Sequence, residues 1–373
     1  MSKRITKAIV IAAIIGIVQP LVVFAAGGSD QGKAKAATQS QAPGKMVEKY
    51  PVIAYGPITG KTAADYKFGF SFGGIASYAD PCPGMADLAA SELGIPKITV
   101  QTPQNWIQNE QNQKLDGLIA SGMKGIFMMP SEPTAGNAQI SKMVSAGIPV
   151  VCMGGPPELP SKTVLTLATE ARQAAYDGTV ALIQAMGEKG NLVALIPMLN
   201  DTNTQKRLTG IKDAIAKYPN VKLLQSIADM ENTENAMTQL GDLLAARGKE
   251  IDGIMAAGYT AAATCATFMM KPEYAHIKSV GFDTDEKVMT AIKAGKMTGT
   301  MSQNPWGQAY ISMYTLKMLV DGWKYKAGQP EVINSGSFLI TTANVDKYEQ
   351  MIKDETFKIM ATWTDRFDPP VKM

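Results

Sequence analysis

Lys278-Ser-Val-Gly-Phe-Asp-Thr-Asp-Glu286 is the stretch of sequence that decides the fold. Ser279 to Phe282 is small or apolar and suits a short buried strand, and a helical pattern begins soon after it. Asp283 stands at the junction. In an open α/β sheet such a junction lies at the carboxyl edge, where ligands bind, and a carboxylate there can accept two hydrogen bonds from hydroxyls or amines. Asp283 could instead simply cap the following helix.

Strand-like and helix-like segments alternate from Tyr66 onwards, and the rhythm starts again near Ala174. Predicted strands lie at about 68–72, 98–100, 125–129, 147–153, 191–197, 221–224, 253–257, 279–282, 297–301 and 337–340. Predicted helices lie at about 84–93, 105–119, 134–145, 174–186, 205–217, 232–246, 261–269, 306–323 and 343–353. Continuous apolar strands in this order are typical of parallel sheets covered by helices on both faces. The sequence therefore predicts an α/β protein of two Rossmann-like lobes, joined by a multi-crossover hinge, with a cleft between them.

The first 25 residues have the pattern of a secretory signal peptide. Lys3, Arg4 and Lys7 form a positive start, an unbroken apolar run follows from Ala8 to Val18, and small residues precede a predicted cut after Ala25. The alternative is an uncleaved membrane anchor, but an 11-residue run is short of the ~20 residues needed to span a bilayer. We expect the mature protein to be periplasmic or otherwise exported.

Composition argues against several classes of function. The net charge is only +3, and no basic run suggests a nucleic-acid partner. The three cysteines are far apart and the single histidine is His276, so the sequence predicts no disulfide framework, no metal site and no histidine-based catalytic triad. Motifs that bind dinucleotides or nucleoside triphosphates are also missing, so we expect no cofactor.

Two further polar residues lie at predicted strand ends. Arg207 falls in the first turns of a helix, where its planar guanidinium could donate to a ligand hydroxyl or carboxylate, or could simply be solvated. Gln303 lies between a strand and a helix beside Asn304-Pro305, where it could instead serve only the turn.

Aromatic residues occur at the same expected strand ends and loops: Phe72, Tyr78, Trp106, Tyr259 and Trp306. Sugar-like ligands stack on such rings through their C–H faces. Core packing is the other role open to each of these rings.

Residues 66–350 resemble the type I periplasmic solute-binding proteins of ABC importers, in the subgroup that binds ribose and galactose. The motifs that carry the resemblance are Gly147-Ile-Pro-Val-Val151, Arg207-Leu-Thr-Gly210, Val280-Gly-Phe-Asp283, Gly299-Thr-Met-Ser-Gln303 with Pro305, and Asn344-Val-Asp346. The resemblance implies that Arg207, Asp283 and Gln303 reach into the cleft between the lobes and bind sugar hydroxyls. From the aromatic residues at strand ends and loops, we predict Tyr78, Tyr259 and Trp306 as further ligand-binding residues.

The sequence also departs from the pattern of that family. Gly154-Gly155 stand where many sugar binders have Asp-Arg, Met129 precedes Pro130 where Asn is frequent, and Gly258-Tyr259 replace an Asn-Asp pair. These changes remove hydroxyl-binding groups and add Met, Gly and aromatic surface. We therefore expect a ligand with fewer hydroxyls than a hexopyranose, such as a polyol, a deoxysugar or a small furanose derivative.

The resemblance implies a monomeric binding protein, not an enzyme, that delivers its ligand to an ABC permease in the membrane. A ligand-presenting sensory or chemotaxis receptor and, less in keeping with the sequence, an exported enzyme are the alternatives. The predicted organisation is a signal peptide (1–25), a flexible leader (26–65), an N-terminal lobe (66–168 plus 304–333) and a C-terminal lobe (169–303 plus 334–373).

Overall fold

The computed structural model of the chain describes residues 46–47, 50–199 and 201–370. The predicted signal peptide and the first part of the predicted leader lie outside these residues. Within them, no helix combines the length and the apolar character needed to cross a membrane.

The elements of the chain follow one another in the predicted order. Residues up to 168 form β1 (Met46–Val47), β2 (Tyr50–Ala54), β3 (Phe68–Ser71), α1 (Pro81–Leu93), β4 (Thr99–Val100), α2 (Gln108–Ala120), β5 (Gly125–Met128), α3 (Gly136–Ser145), β6 (Val150–Met153) and β7 (Thr166–Ala168). The next part contains α4 (Ala171–Ala185), β8 (Gly190–Leu195), α5 (Thr202–Ile215), β9 (Val221–Ile227), α6 (Thr233–Arg247), β10 (Gly253–Ala256), α7 (Tyr259–Met269), β11 (Lys278–Phe282), α8 (Glu286–Lys293) and β12 (Gly299–Met301). The last part contains α9 (Pro305–Val320), β13 (Lys324–Tyr325), β14 (Val332–Asn334), β15 (Leu339–Ile340), α10 (Tyr348–Met360) and β16 (Phe367–Asp368).

The first lobe is built on a six-stranded parallel sheet in the order β14-β7-β6-β5-β3-β4. Its central strands are buried along their whole length because helices cover both faces. Successive residues point to opposite faces, so Phe127 packs in the core shared with α1 and α9, whereas Ile126 and Met128 pack in the core shared with α2 and α3.

The second lobe repeats this architecture in the order β15-β12-β11-β10-β8-β9. All neighbouring strands are parallel except the short β15, which runs antiparallel to β12. Each lobe therefore presents a carboxyl edge from which its functional loops emerge.

Three segments cross between the lobes and confirm the predicted multi-crossover hinge. They connect β7 to α4, β12 to α9 and β14 to β15. The strands β7 and β14, which both lie beside a crossover, were not predicted.

Two parts of the predicted organisation need revision. Ile53, in the predicted flexible leader, is buried in the first lobe's core. Trp363 and Phe367, assigned by sequence to the C-terminal lobe, also lie in that core, and β16 pairs with β13. We therefore propose that residues 53–65 and the chain end from about residue 356 belong to the N-terminal lobe.

The predicted last helix, 343–353, lies further along at Tyr348–Met360. The shift arises because a turn precedes the helix, in which Asn344 accepts a hydrogen bond from the Thr341 N–H.

Candidate functional site

Asp283 follows β11 directly and is held by the backbone on both sides. Its N–H donates to the Met301 carbonyl (2.9 Å), and its carbonyl accepts from Thr300 Oγ1 (2.8 Å). This clamp keeps Asp283 in the left-handed region (φ 69°), which residues other than glycine seldom adopt. Helix α8 is capped by Asp285, whose side chain accepts from the Lys287 N–H, so the carboxylate of Asp283 is not the helix cap.

Arg207 is placed by α5, a helix that Asp201 caps by accepting from the Thr204 N–H. The side chain is buried (7% exposed), with its guanidinium 4.8 Å from the centre of the Phe282 ring. Nη1 donates to the Ala257 carbonyl at 3.1 Å. The role of a solvated surface residue is therefore ruled out for Arg207.

Gln303 joins the arginine to the carboxylate. Its Oε1 accepts from Arg207 Nη2 (3.2 Å), and its Nε2 donates to Asp283 Oδ1 (2.7 Å). The adjacent turn is served by Asn304, which accepts from the Gly307 N–H and caps α9. The structure thus brings the three residues together in one buried cluster at the carboxyl edge of the second lobe, here called the polar triad (Arg207, Asp283 and Gln303).

Burial controls the electrostatics of the polar triad. Desolvation raises the pKa of Asp283 to about 6, while the Arg207 charge and the Gln303 hydrogen bond oppose that rise. Arg207 Nε is buried and has no hydrogen-bond partner among the described residues. A planar guanidinium with a spare donor beside a fixed carboxylate is suited to bind a polyhydroxylated molecule.

Tyr78 and Met129 lie on the first lobe near the glycine pair Gly154-Gly155. Tyr78 stacks on Phe72 with ring centres 5.9 Å apart. Desolvation raises the pKa of Tyr78 well above its usual value, and the next largest influence is the charge of Asp283 on the other lobe. A side chain at Gly154 would meet Met129 Sδ at 2.9 Å, so Met129 occupies the space beside the glycine pair.

Polar groups of the two lobes meet across the cleft. Asn203 Nδ2, from α5, donates to the Gly154 carbonyl at 3.2 Å. Desolvation raises the pKa of Tyr259 to about 12, and Asp285 of its own lobe and Ser77 of the first lobe also act on its hydroxyl. Tyr78 and Tyr259 therefore both lie between the lobes.

Trp306 lies in different surroundings. Its ring stacks on Tyr310 (5.3 Å) and meets Phe357 edge-on (5.9 Å), so it packs against the first lobe's core. The core-packing alternative describes Trp306 better than the ligand-binding one, because the helix start turns the side chain towards α10. Trp106 also packs within the first lobe, edge-on to Phe72 at 5.4 Å.

Sequence reasoning missed three residues that belong to this region. Asn203 and Gln308 lie at inward positions of the first turns of α5 and α9, and the only signal was that each follows a predicted strand end. Glu231 lies beyond β9. It is exposed, yet desolvation by the surrounding protein raises its pKa, and charges of Arg207, Asp201 and Asp283 also act on it. Solvent reaches Glu231 and screens these charges.

The described residues contain no candidate metal site and no cysteine pair. Within these ranges, no group of three or more His, Cys, Asp or Glu side chains is placed to hold a metal ion. The three cysteines, Cys82, Cys152 and Cys265, are free and buried.

Comparisons with known proteins agree with this architecture. Residues 68–324 match the family described as periplasmic binding protein domain. The chain is 24% identical over 250 residues to a xylitol-binding protein of Mycolicibacterium smegmatis, covering 67% of this chain and 70% of that protein. It is 25% identical over 268 residues to a D-apiose import binding protein of Paraburkholderia graminis, covering 71% and 83%.

Solved structures show the same fold. A solute-binding protein of an ABC transporter from Burkholderia graminis, in complex with D-arabinose, superposes with a TM-score of 0.70 at 22% identity, covering 77% of this chain and 99% of that one. One from Agrobacterium vitis with bound D-fucose gives a TM-score of 0.70 at 21% identity, again covering 77% and 99%. With the family match spanning more than half of its length, the chain is a member of the periplasmic binding protein family.

Proposed function

We propose that the protein is the extracytoplasmic binding component of an ABC importer, and that it closes around a small carbohydrate-like ligand. The observation that carries this proposal is the polar triad, whose Asp283 and Arg207 charges act on Tyr78 of the other lobe, a ring that stacks on Phe72. Hydroxyls can bond to the charged groups, while the C–H face of the ligand packs on the rings. The names of the relatives, which bind xylitol, D-apiose and other small sugars, support the same class of ligand.

The ligand is expected to be less polar on the side that faces the first lobe. Met129 lies within van der Waals distance of the positions that side chains at Gly154 and Gly155 would take. A thioether offers only a weak acceptor, so this wall does not replace the hydroxyl-binding groups that the family has there. A polyol, a deoxysugar or a small furanose derivative therefore fits better than a hexopyranose.

Binding would proceed by hinge closure with no covalent step. Closure removes water from the polar triad, which strengthens its hydrogen bonds to the ligand. We propose that the protein acts as a monomer, that it is exported with cleavage after Ala25, and that the closed form is delivered to a membrane permease. The ligand should accordingly be recovered unchanged from the complex, which mass spectrometry can check.

A thermal-shift screen of the full-length chain tests the proposed ligand class. The panel contains xylitol, D-apiose, D-arabinose, D-fucose, D-ribose and D-glucose, with amino acids and nucleosides as the comparison set. Ligand at ~100 times its dissociation constant adds about 2.7 kcal/mol to the free energy of unfolding, a shift of several degrees. A shift with polyols, deoxysugars or furanose derivatives alone is the expected result. Shifts only with amino acids or nucleosides would overturn the carbohydrate class, and tight binding of D-glucose or D-ribose would overturn the reduced-hydroxyl inference.

A further inference from the structure

Gln308 forms a hydrogen-bonded junction in the interior of the first lobe. It lies in the first turn of α9 and is fully buried. Its Oε1 accepts from the Tyr78 hydroxyl and from the Gly154 N–H, both at 3.0 Å. Its Nε2 donates to Ser335 Oγ at 2.9 Å. One side chain thus connects a cleft tyrosine, the glycine turn and the hinge.

The surroundings fix the orientation of the Gln308 amide. The Gly154 N–H can only donate, so the oxygen of the amide, not its nitrogen, must face it. That N–H is shared with the Leu167 carbonyl (2.9 Å), which places it in the sheet ladder. The Tyr78 hydroxyl must then donate its single proton to Gln308. Only the lone pairs of Tyr78 remain for a ligand, so Tyr78 acts as an acceptor towards the cleft.

The second group bonded to Gln308, the Gly154 N–H, lies next to the contact between the lobes. Gly154 donates through its N–H to Gln308, and its carbonyl accepts from Asn203 Nδ2 of the second lobe. A shift of Gln308 therefore moves the acceptor that Asn203 meets when the lobes close.

The third group bonded to Gln308, the Ser335 hydroxyl, lies in the hinge. Ser335 is the first residue after β14, and its N–H donates to the Ala168 carbonyl (2.9 Å) at the end of β7. Its carbonyl accepts from Asn304 Nδ2 (2.8 Å), which lies on the connection between β12 and α9. All three crossover segments are thus bonded to one another at Ser335, the residue to which Gln308 donates.

We propose that Gln308 is a positioning residue for ligand binding, which holds the Tyr78 hydroxyl as an acceptor towards the cleft and ties it to the hinge and to the Asn203–Gly154 contact. This inference rests on the proposed function for the ligand that Tyr78 would meet. The junction itself consists of protein groups alone.

A double-mutant cycle between Gln308→Met and Tyr78→Phe tests the proposal. Met keeps the volume of Gln308 but provides neither the acceptor nor the donor, and Phe removes only the hydroxyl. Calorimetric titration with xylitol and D-apiose should show affinity about tenfold lower for each single variant. Tyr78→Phe should then change the affinity of the Gln308→Met protein by less than about twofold, because the hydroxyl is no longer held. Losses that simply multiply would overturn the proposal.

Thr315→Val is the matched control for a purely structural effect. Thr315 is buried on the same helix and accepts from Trp363 Nε1 (3.1 Å) within the first lobe's core. We expect this variant to lower the thermal midpoint without changing affinity and to show no coupling to Tyr78→Phe. Equal coupling of Thr315→Val and Gln308→Met to Tyr78→Phe would contradict a specific role for Gln308.

Two further measurements keep the test decisive. If Gln308→Met does not fold, Ser335→Ala is used instead, because it removes only the hydrogen bond between Gln308 and the hinge. The losses of affinity caused by Ser335→Ala and Asn203→Ala should then not multiply in the double variant. Losses that multiply would overturn the proposal. If the wild-type protein binds no carbohydrate, the proposed function fails, and the Gln308–Tyr78 cycle is measured on the denaturant midpoint of the ligand-free protein. Non-additive shifts there support the junction, and additive shifts overturn it.

Discussion

Gln303 Nε2 donates a 2.7 Å hydrogen bond to Asp283 Oδ1, and this contact fixes the carboxylate that follows β11. The same amide accepts from Arg207 on its other side, so the cation and the carboxylate are joined through a neutral group rather than by a direct ion pair. Among the residues that the structure describes, Arg207 Nε is left without a hydrogen-bond partner. The polar triad is therefore held rigidly by the protein and still has hydrogen-bonding capacity for a ligand.

Arg207→Lys should weaken ligand binding by about ten- to 100-fold. A lysine ammonium lacks the planar fork that serves Ala257, Gln303 and a ligand at the same time. Calorimetric titration of the panel carbohydrate that stabilises the protein most measures the effect. Arg172→Lys is the control, because Arg172 is exposed and pairs with Asp213 on the surface. A loss below about threefold for Arg207→Lys would remove Arg207 from the site.

Binding should weaken as the pH decreases through about 6. Desolvation raises the pKa of Asp283 to about 6 from the usual 3.8. Ligand hydroxyls that donate to the carboxylate favour its ionised form, so protonation opposes binding. Titrations between pH about 5 and about 7 measure this change. Asp283→Asn should have a much flatter profile, with Glu231 as the remaining titrating neighbour; an unchanged profile would contradict the assignment.

The same pKa sets a pH dependence of stability for the ligand-free protein. Because the folded state holds the Asp283 proton more tightly than the unfolded state does, the contribution of Asp283 is greatest below about pH 4. It is lost as the pH rises through about 6. Denaturant midpoints across this range, compared between the wild type and Asp283→Asn, measure the contribution. If the difference in midpoint between the wild type and Asp283→Asn is the same at every pH, Asp283 does not make this contribution to stability.

Gly154→Ala should destabilise the protein more than Gly147→Ala does. Both glycines have positive φ (75° and 77°), so each substitution costs about 1–2 kcal/mol in backbone conformation. A Cβ at Gly154 also meets Met129 Sδ at 2.9 Å, whereas nothing lies within 4 Å of one at Gly147. Gly154→Ala should in addition lower ligand affinity, because the Gly154 carbonyl would move away from Asn203. Equal effects of the two variants on unfolding and binding would rule out this role for the glycine turn.

Lys317→Met should lower the free energy of unfolding by about 3–5 kcal/mol, because it leaves Asp321 as an uncompensated buried charge. Lys317 Nζ lies 2.6 Å from Asp321 Oδ2, and both side chains are almost completely buried. Lys293→Met breaks the exposed Lys293–Asp346 pair (2.8 Å) and should cost at most about 1 kcal/mol. Chemical denaturation measures both variants. Similar losses in the free energy of unfolding for the two variants would mean that the buried Lys317–Asp321 pair is no more important for stability than the exposed Lys293–Asp346 pair.

The sequence predicted the repeating βα order and the polar triad because both depend on local pattern and on motif position. Strands such as Gly125–Met128 are continuous apolar runs, and Asp283 stands at a clear break between a strand and a helix. The packing of Trp363 into the first lobe could not be predicted, since it depends on where the chain returns after the third crossover. The different surroundings of Trp306 have a similar origin, because its partner Phe357 lies 51 positions further along the chain.

Comparing Asp283→Ala with Asp229→Ala in calorimetric titrations tests the central claim most directly. Both aspartates follow strands of the second lobe and have positive φ (69° and 60°), so the backbone cost of alanine is matched, but Asp229 is exposed. If Asp283 accepts two buried hydrogen bonds from a carbohydrate ligand, Asp283→Ala should weaken binding by about 2–4 kcal/mol, and Asp229→Ala by less than about 0.5 kcal/mol. A change below about 0.5 kcal/mol for Asp283→Ala would contradict the account and would show that the polar triad is not the ligand site.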